Sequence, residues 1–219
     1  MISNLAEEAQ ELPHSCDVLI LGAGPAGISL ALSLSRAQPT LKIVLAEAGG
    51  YAMPDGTELD LYQGESLGSA NYSLVGSRLR FLGGTSNHWG GWCRPLDEVD
   101  FSPRPQAGSS GWPLTRDELE PFYQRAHPWL ELASHDYSCA RLNAGLRAQL
   151  LDFSDSPWFR NRLFRFSPPT RFGSRYRDDL ANSNNIQVIL NAAAVAYHYA
   201  NARLDQVELS GLHGRRHLL

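Results

Sequence analysis

Asp17-Val-Leu-Ile-Leu-Gly22-Ala-Gly24-Pro25-Ala26-Gly27-Ile-Ser-Leu-Ala-Leu-Ser-Leu-Ser35 is the stretch that decides the fold. Asp17 to Leu21 is short, aliphatic and uninterrupted, the pattern of a buried strand. Ile28 to Ser35 reads as a helix, with Leu30 and Leu34 one turn apart, and Pro39 closes it. Leu41-Lys-Ile-Val-Leu-Ala-Glu47 reads as a second buried strand that ends in Ala48-Gly-Gly50. Strand, glycine loop, helix and strand make a complete βαβ unit in about thirty residues.

Each glycine of the loop has a separate physical task. Gly22 permits the tight turn, Gly24 lets backbone approach a pyrophosphate, and Gly27 lets the helix pack close to the strand. The helix start, at Pro25 and Ala26, offers free N–H groups and a positive dipole end to a phosphate. Glu47 follows Gly27 by 20 residues, where an acid can accept hydrogen bonds from a ribose diol. An acid there disfavours the 2′-phosphate of NADP. The spacing serves NAD and FAD alike. The bland alternative is a glycine-rich turn that binds nothing.

A second motif separates these readings. Arg80-Phe-Leu-Gly83-Gly84-Thr85-Ser-Asn87-His88-Trp89-Gly-Gly-Trp92 is dense in glycine and tryptophan. A Gly-Gly pair followed by small polar residues can present successive N–H groups to an anion. An imidazole and a large flat ring follow at once.

Together these stretches resemble the glucose–methanol–choline (GMC) flavin oxidoreductases. The likeness rests on Gly22 to Gly27, Glu47-Ala-Gly49 and Gly83-Gly-Thr-Ser-Asn-His-Trp89. It continues through Gly111-Trp-Pro-Leu-Thr-Arg-Asp-Glu-Leu119 and Tyr123. It covers nearly the whole chain and is strongest to the branch holding pyranose oxidase and bacterial sugar or sugar-acid dehydrogenases.

The resemblance implies FAD, with the pyrophosphate on the first glycine loop and Glu47 on the adenosine ribose. It implies that Arg80 and the segment Gly83, Gly84, Thr85 and Asn87 belong to the cofactor site, with that loop along the flavin. It places the backbone of Ala194-Val195 against adenine. His88 stands where some relatives attach the flavin covalently and others do not, so it is a candidate covalent attachment point or a non-covalent contact. Gly90 departs from pyranose oxidase, which has a threonine near the flavin N5 at that position. The implied reaction is oxidation of a CH–OH group of an alcohol, sugar or sugar acid by hydride transfer to N5. The expected base is a C-terminal histidine of the family, outside these 219 residues. His127, His135, His198 and His213 match no catalytic motif. The chain alone is therefore expected to be inactive, a cofactor-holding front part.

The rest of the sequence is consistent with a globular α/β protein. Hydrophobic residues are 43% and charged residues 19%, which excludes a disordered chain. A net charge of -4 gives no general reason to bind nucleic acid. No apolar run reaches the roughly 20 residues of a membrane helix, and Met1 to Glu11 lacks the pattern of a secretory signal. Cys16, Cys93 and Cys139 are far apart and form no C-x-x-C pair. A reducing, cytoplasmic setting is the default, although relatives can reach the periplasm with an exported electron-transfer subunit.

The expected architecture is α/β. A discontinuous Rossmann-like FAD domain takes residues 12–100 and 180–219, and an insertion at 101–180 begins the substrate or cap domain. Thr115-Arg-Asp-Glu118 fits a capping box, and the helix behind it is expected to reach about Ala126, where Pro128 stops it. Ile186 to Leu190 and Ala192 to Tyr199 read as strands. The Arg-rich stretch 160–177 reads as ion pairs or a domain-facing surface, and Trp112, Trp129 and Trp158 as core or interdomain packing residues. Gly64-Glu-Ser66-Leu-Gly68 matches a nucleophile elbow but lacks its strand and helix, so Ser66 reads as a loop serine. His213 and His217, four apart, lack a third ligand, and no metal is expected. The rival enzyme reading is an NAD-dependent dehydrogenase, which leaves the second motif unexplained.

Overall fold

The computed structural model describes residues 1–7, 11–53, 62–68, 73–142, 144–211 and 214–219. Glu58 to Leu61, Ser69 to Tyr72 and His213, invoked in the readings of Ser66 and of a histidine pair, lie outside the described residues. In chain order the elements are β1 (Ile2–Asn4), β2 (Val18–Leu21), α1 (Pro25–Ala37), β3 (Ile43–Ala46) and α2 (Leu74–Ser77). Next come β4 (Trp92–Cys93), α3 (Glu98–Phe101), α4 (Arg116–Trp129), α5 (Ala144–Arg147) and β5 (Arg165–Phe166). The chain ends with α6 (Phe172–Arg175), α7 (Arg177–Ala181), β6 (Ile186–Leu190), β7 (Ala193–Ala200), β8 (Arg203–Ser210) and β9 (Arg216–Leu218).

Two compact units form. One contains Met1–His88 and Arg171–Leu219, the other Trp89–Thr170. The first is built on a four-stranded parallel sheet in the order β1-β6-β3-β2. Every residue of β3 is buried, as expected for a parallel strand covered on both faces. Val44, Ala46 and Ile189 meet Leu5, Leu12, Val207 and Leu209 in one core. Helix α1 buries Gly27, Ile28, Ala31 and Leu32, while Leu30 is exposed. The face that packs is thus offset from the Leu30–Leu34 stripe.

The strands at 186–190 and 193–200 form, but in different sheets. β6 joins the parallel sheet, and β7 opens a three-stranded antiparallel sheet in the order β7-β8-β9. β1 and β9 are not among the strands expected from the sequence. Each is three residues long and depends on its partner strand, not on a pattern of its own.

In the second unit the Thr115 capping box is present. Glu118 N–H donates to Thr115 Oγ1 at 3.3 Å, and Thr115 N–H donates to Glu118 Oε2 at 2.7 Å. The helix does not stop at Ala126. Pro128 lies inside it, one residue from the end, and Leu130 N–H closes the last turn onto Ala126 and His127 carbonyls. A proline that late removes one helical bond and leaves the final turn intact. Thr115→Ala is expected to cost about 1 kcal/mol, read as a lower thermal midpoint of the full chain.

Trp112 and Trp158 are not core residues: they are 56% and 86% exposed. Arg162 pairs with Asp97, and Arg175 with Asp179, as the ion-pair reading of the Arg-rich stretch expects. Among the described residues no helix is long and apolar enough to cross a membrane.

Candidate functional site

The first glycine loop lies at the carboxyl ends of β2 and β3, where open α/β sheets bind ligands. Gly22 takes φ +96°, a conformation that side chains disfavour. A Cβ on Gly27 would stand 2.0 Å from the Gly22 carbonyl oxygen, so helix and loop touch backbone to backbone. A Cβ on Gly24 would meet nothing within 4 Å among the described residues, so the loop is open to them there. Pro25 opens α1 with Gly24 as its N-cap. Pro suits this position because the N–H it lacks would have no helical partner.

Glu47 leaves the end of β3 and is buried. Its carboxylate accepts from Ala23 N–H at 2.7 Å and from Gly49 N–H at 3.1 Å. One acid therefore ties the glycine loop to the turn after β3. Each oxygen keeps a further lone pair.

The second motif crosses the first loop. Gly83 N–H donates to Ala23 O at 2.8 Å, and Gly84 N–H donates to Phe81 O at 2.7 Å. These two donors are occupied, so the Gly-Gly pair is not the open anion nest that its composition suggested. Asn87 Nδ2 turns back onto Leu82 and Gly84 carbonyls, both at 3.0 Å. The residues that lock the loop from outside escaped sequence reading. Ser86 is buried, its Oγ donates to Gly83 O at 2.6 Å and accepts from Phe172 N–H at 3.1 Å, and Arg171 Nη1 donates to Ser86 O at 2.7 Å. Only their separation of about 85 positions hid them, since Ser86 lies inside the motif itself.

Between the loops is a cleft of about 400 Å³. Of the expected site residues, Gly22, Gly24, Pro25, Glu47, Arg80, Gly84 and Thr85 line it. Leu21, Ala46, Leu79, Ala192 and Ala194 add apolar wall. Ala26, Gly27, Gly83, Asn87, His88 and Val195 do not line it. Ala26, Gly27 and Gly83 shape the loops, and Ala194 takes the wall position beside Val195, which is half-exposed. Arg80 lies over the buried Tyr62 ring, whose hydroxyl accepts from Arg80 N–H at 2.7 Å. The His88 imidazole is exposed and makes no hydrogen bond among the described residues.

This chain shares its fold with solved oxidases. A pyridoxine 4-oxidase from Mesorbium loti superposes with a TM-score of 0.54 at 18% identity, covering 94% of this chain and 48% of that one. A fungal aryl-alcohol oxidase gives 0.57 at 14%, covering 95% and 44%. A formate oxidase from Aspergillus oryzae RIB40, studied for the effect of a mutation on FAD modification, gives 0.50 at 16%, covering 93% and 43%. This chain thus spans less than half the length of each. At these identities the likeness is one of fold. No protein-family model and no curated protein matches the sequence.

Chemically, the cleft can hold and orient a ligand. Of the residues lining it, only Glu47 and Arg80 ionise, and Glu47 is engaged by backbone N–H groups. Among the described residues no cluster of histidine, cysteine or acid is placed to hold a metal.

Proposed function

We propose that this chain is the FAD-binding portion of a GMC-type oxidoreductase, of the branch that holds pyranose oxidase and bacterial sugar dehydrogenases. One observation carries the reading. A single cleft gathers a helix N-terminus, a buried acid and a second glycine loop, and leaves the backbone at Gly24 open. That arrangement fits a dinucleotide with a pyrophosphate at its centre. The βαβ unit is read as Rossmann-like. The fold shared with three oxidases, one of them described with FAD, supports flavin over NAD.

In this reading the N–H groups at the start of α1 hold the pyrophosphate and Glu47 accepts from the adenosine ribose. Arg80, Gly84 and Thr85 form the wall toward the flavin, and Ala194 with Val195 the wall toward adenine. Residues 12–100 and 180–219 hold the cofactor, and 101–180 begin the part that faces substrate. Bound FAD supplies hydride acceptance from the CH–OH carbon of an alcohol, sugar or sugar acid. His88 is the candidate attachment point, because its imidazole is exposed and has no competing partner among the described residues.

A second reading, that this chain holds FAD without turning over substrate, follows from the lining of the cleft. Neither Glu47 nor Arg80 is free to take a hydroxyl proton there.

The test is direct. The full chain is expected to bind FAD, with flavin absorbance on the protein, and not NAD. Anaerobic addition of sugars or alcohols is expected to leave the flavin bands unbleached. Binding of NAD in place of FAD would reject the proposal. After acid precipitation the flavin is expected in the pellet. Flavin confined to the supernatant would remove covalent attachment at His88 and leave FAD binding standing.

A further inference from the structure

The 89–170 unit has a cavity of its own, about 1170 Å³, with polar walls. Small-molecule sites run to roughly 300–1,000 Å³, so it is large enough for a ligand. Five arginines and His135 line it against four carboxylates. Two of those carboxylates each serve two cationic partners. Asp97 pairs with Arg94 and, at 3.4 Å, with Arg162. Glu120 pairs with Arg116 at 3.4 Å and accepts from His135 Nε2 at 2.6 Å. Arg160 forms no ion pair among the described residues. Positive charge therefore exceeds the negative charge that the walls supply.

Behind His135 lies a hydrogen-bonded chain. His135 Nδ1 is 3.0 Å from His127 Nε2, and the Tyr137 hydroxyl is 3.0 Å from the same nitrogen. His127 is 7% exposed. Burial first, then the charge of His135, push its pKa below the ordinary imidazole value, and Arg165 on β5 adds to the push. The Ser134 backbone and Glu120 oppose it. The charged form of His127 is thus disfavoured, and its Nε2 faces both His135 and Tyr137. Glu120 lies opposite, its carboxyl held below the usual range chiefly by the His135 hydrogen bond, with Gln124 and Arg116 adding to it.

We propose that this cavity binds a small multivalent oxyanion, bearing carboxylate or phosphate-type groups, through Arg94, Arg160 and Arg162, with His135 lining the same cavity. Guanidinium groups match the paired oxygens of such ions in two-point hydrogen bonds. The ligand supplies the charge that Asp97 cannot give to two arginines at once.

The full chain is titrated calorimetrically with sodium sulfate and, separately, with sodium malonate, at constant ionic strength because exposed charges are screened. Saturable binding of either probe is expected, roughly tenfold weaker in the R160Q/R162Q double variant. Sulfate alone would point to phosphate-type ligands, malonate alone to carboxylates. Arg160 and Arg162 are exposed, so the double variant should keep the fold, checked by its melting curve. No saturable binding of either probe, or wild-type binding by R160Q/R162Q, overturns the site. None of these outcomes depends on whether FAD binds elsewhere.

Discussion

Gly27→Ala is expected to destabilise the protein by about 2–4 kcal/mol and to abolish cofactor binding with it. The new Cβ would lie 2.0 Å from the Gly22 carbonyl oxygen and 3.4 Å from a methyl of Ile20. The first contact is with backbone, so no rotamer change relieves it. Either α1 moves off β2 or the loop moves off the helix, and both open the core under Ile28. Alanine's better helix propensity returns only about 1 kcal/mol. Gly24→Ala is the informative contrast. Its Cβ has open space around it, and its φ of -79° suits any residue. Stability should change by less than about 1 kcal/mol, the difference between Gly and Ala as an N-cap. FAD affinity should nevertheless fall by at least about tenfold, because the methyl group takes the space that the pyrophosphate needs. Thermal melting of the apoprotein and FAD titration, run on both variants, separate the two effects. Equal stability of the Gly27 variant and wild type would show that helix and loop are not packed as described. Unchanged FAD affinity of the Gly24 variant would show that no phosphate sits there.

That contrast also shows what the sequence could reveal. The tasks of Gly22, Gly24 and Gly27 are local: turn, helix start and close packing lie within six residues, so spacing alone identifies them. Glu47 sits one βαβ unit away and is legible for the same reason. The chemistry of the second loop is not local. Whether Gly83 N–H and Gly84 N–H are free or occupied depends on Ala23 and Phe81, and Ala23 reaches Gly83 only once the chain has folded. Ser86 gains its meaning from Phe172 and Arg171. The His127–His135–Tyr137 chain joins a helix to the segment after it, at spacings that fit no single helical or strand period. β1 and β9 were hidden because three residues carry too little periodicity to be read.

Glu47 should prove as important before the cofactor binds as after it. Glu47→Ala leaves the N–H groups of Ala23 and Gly49 without their acceptor in a buried place. Each orphaned donor costs about 1–3 kcal/mol, so a loss of about 2–6 kcal/mol is expected in the apoprotein. Glu47→Gln retains the shape but only one acceptor oxygen. Its amide NH2 must then face one of the two N–H donors, and about half of that loss is expected. Glu47→Asp is shorter by one methylene and should release Ala23 while keeping Gly49, the nearer in sequence. If Glu47 served only as a ribose acceptor, all three variants would melt like wild type without FAD and differ only in its binding. The geometry requires the opposite order. Loss of the carboxylate first loosens Ala23, and Ala23 also accepts from Gly83 N–H, so both glycine loops lose their common anchor. FAD affinity should therefore fall further in Glu47→Ala than in Glu47→Gln, in parallel with apoprotein stability. Weakened FAD binding in a variant whose apoprotein melts as wild type would assign Glu47 to the ribose alone.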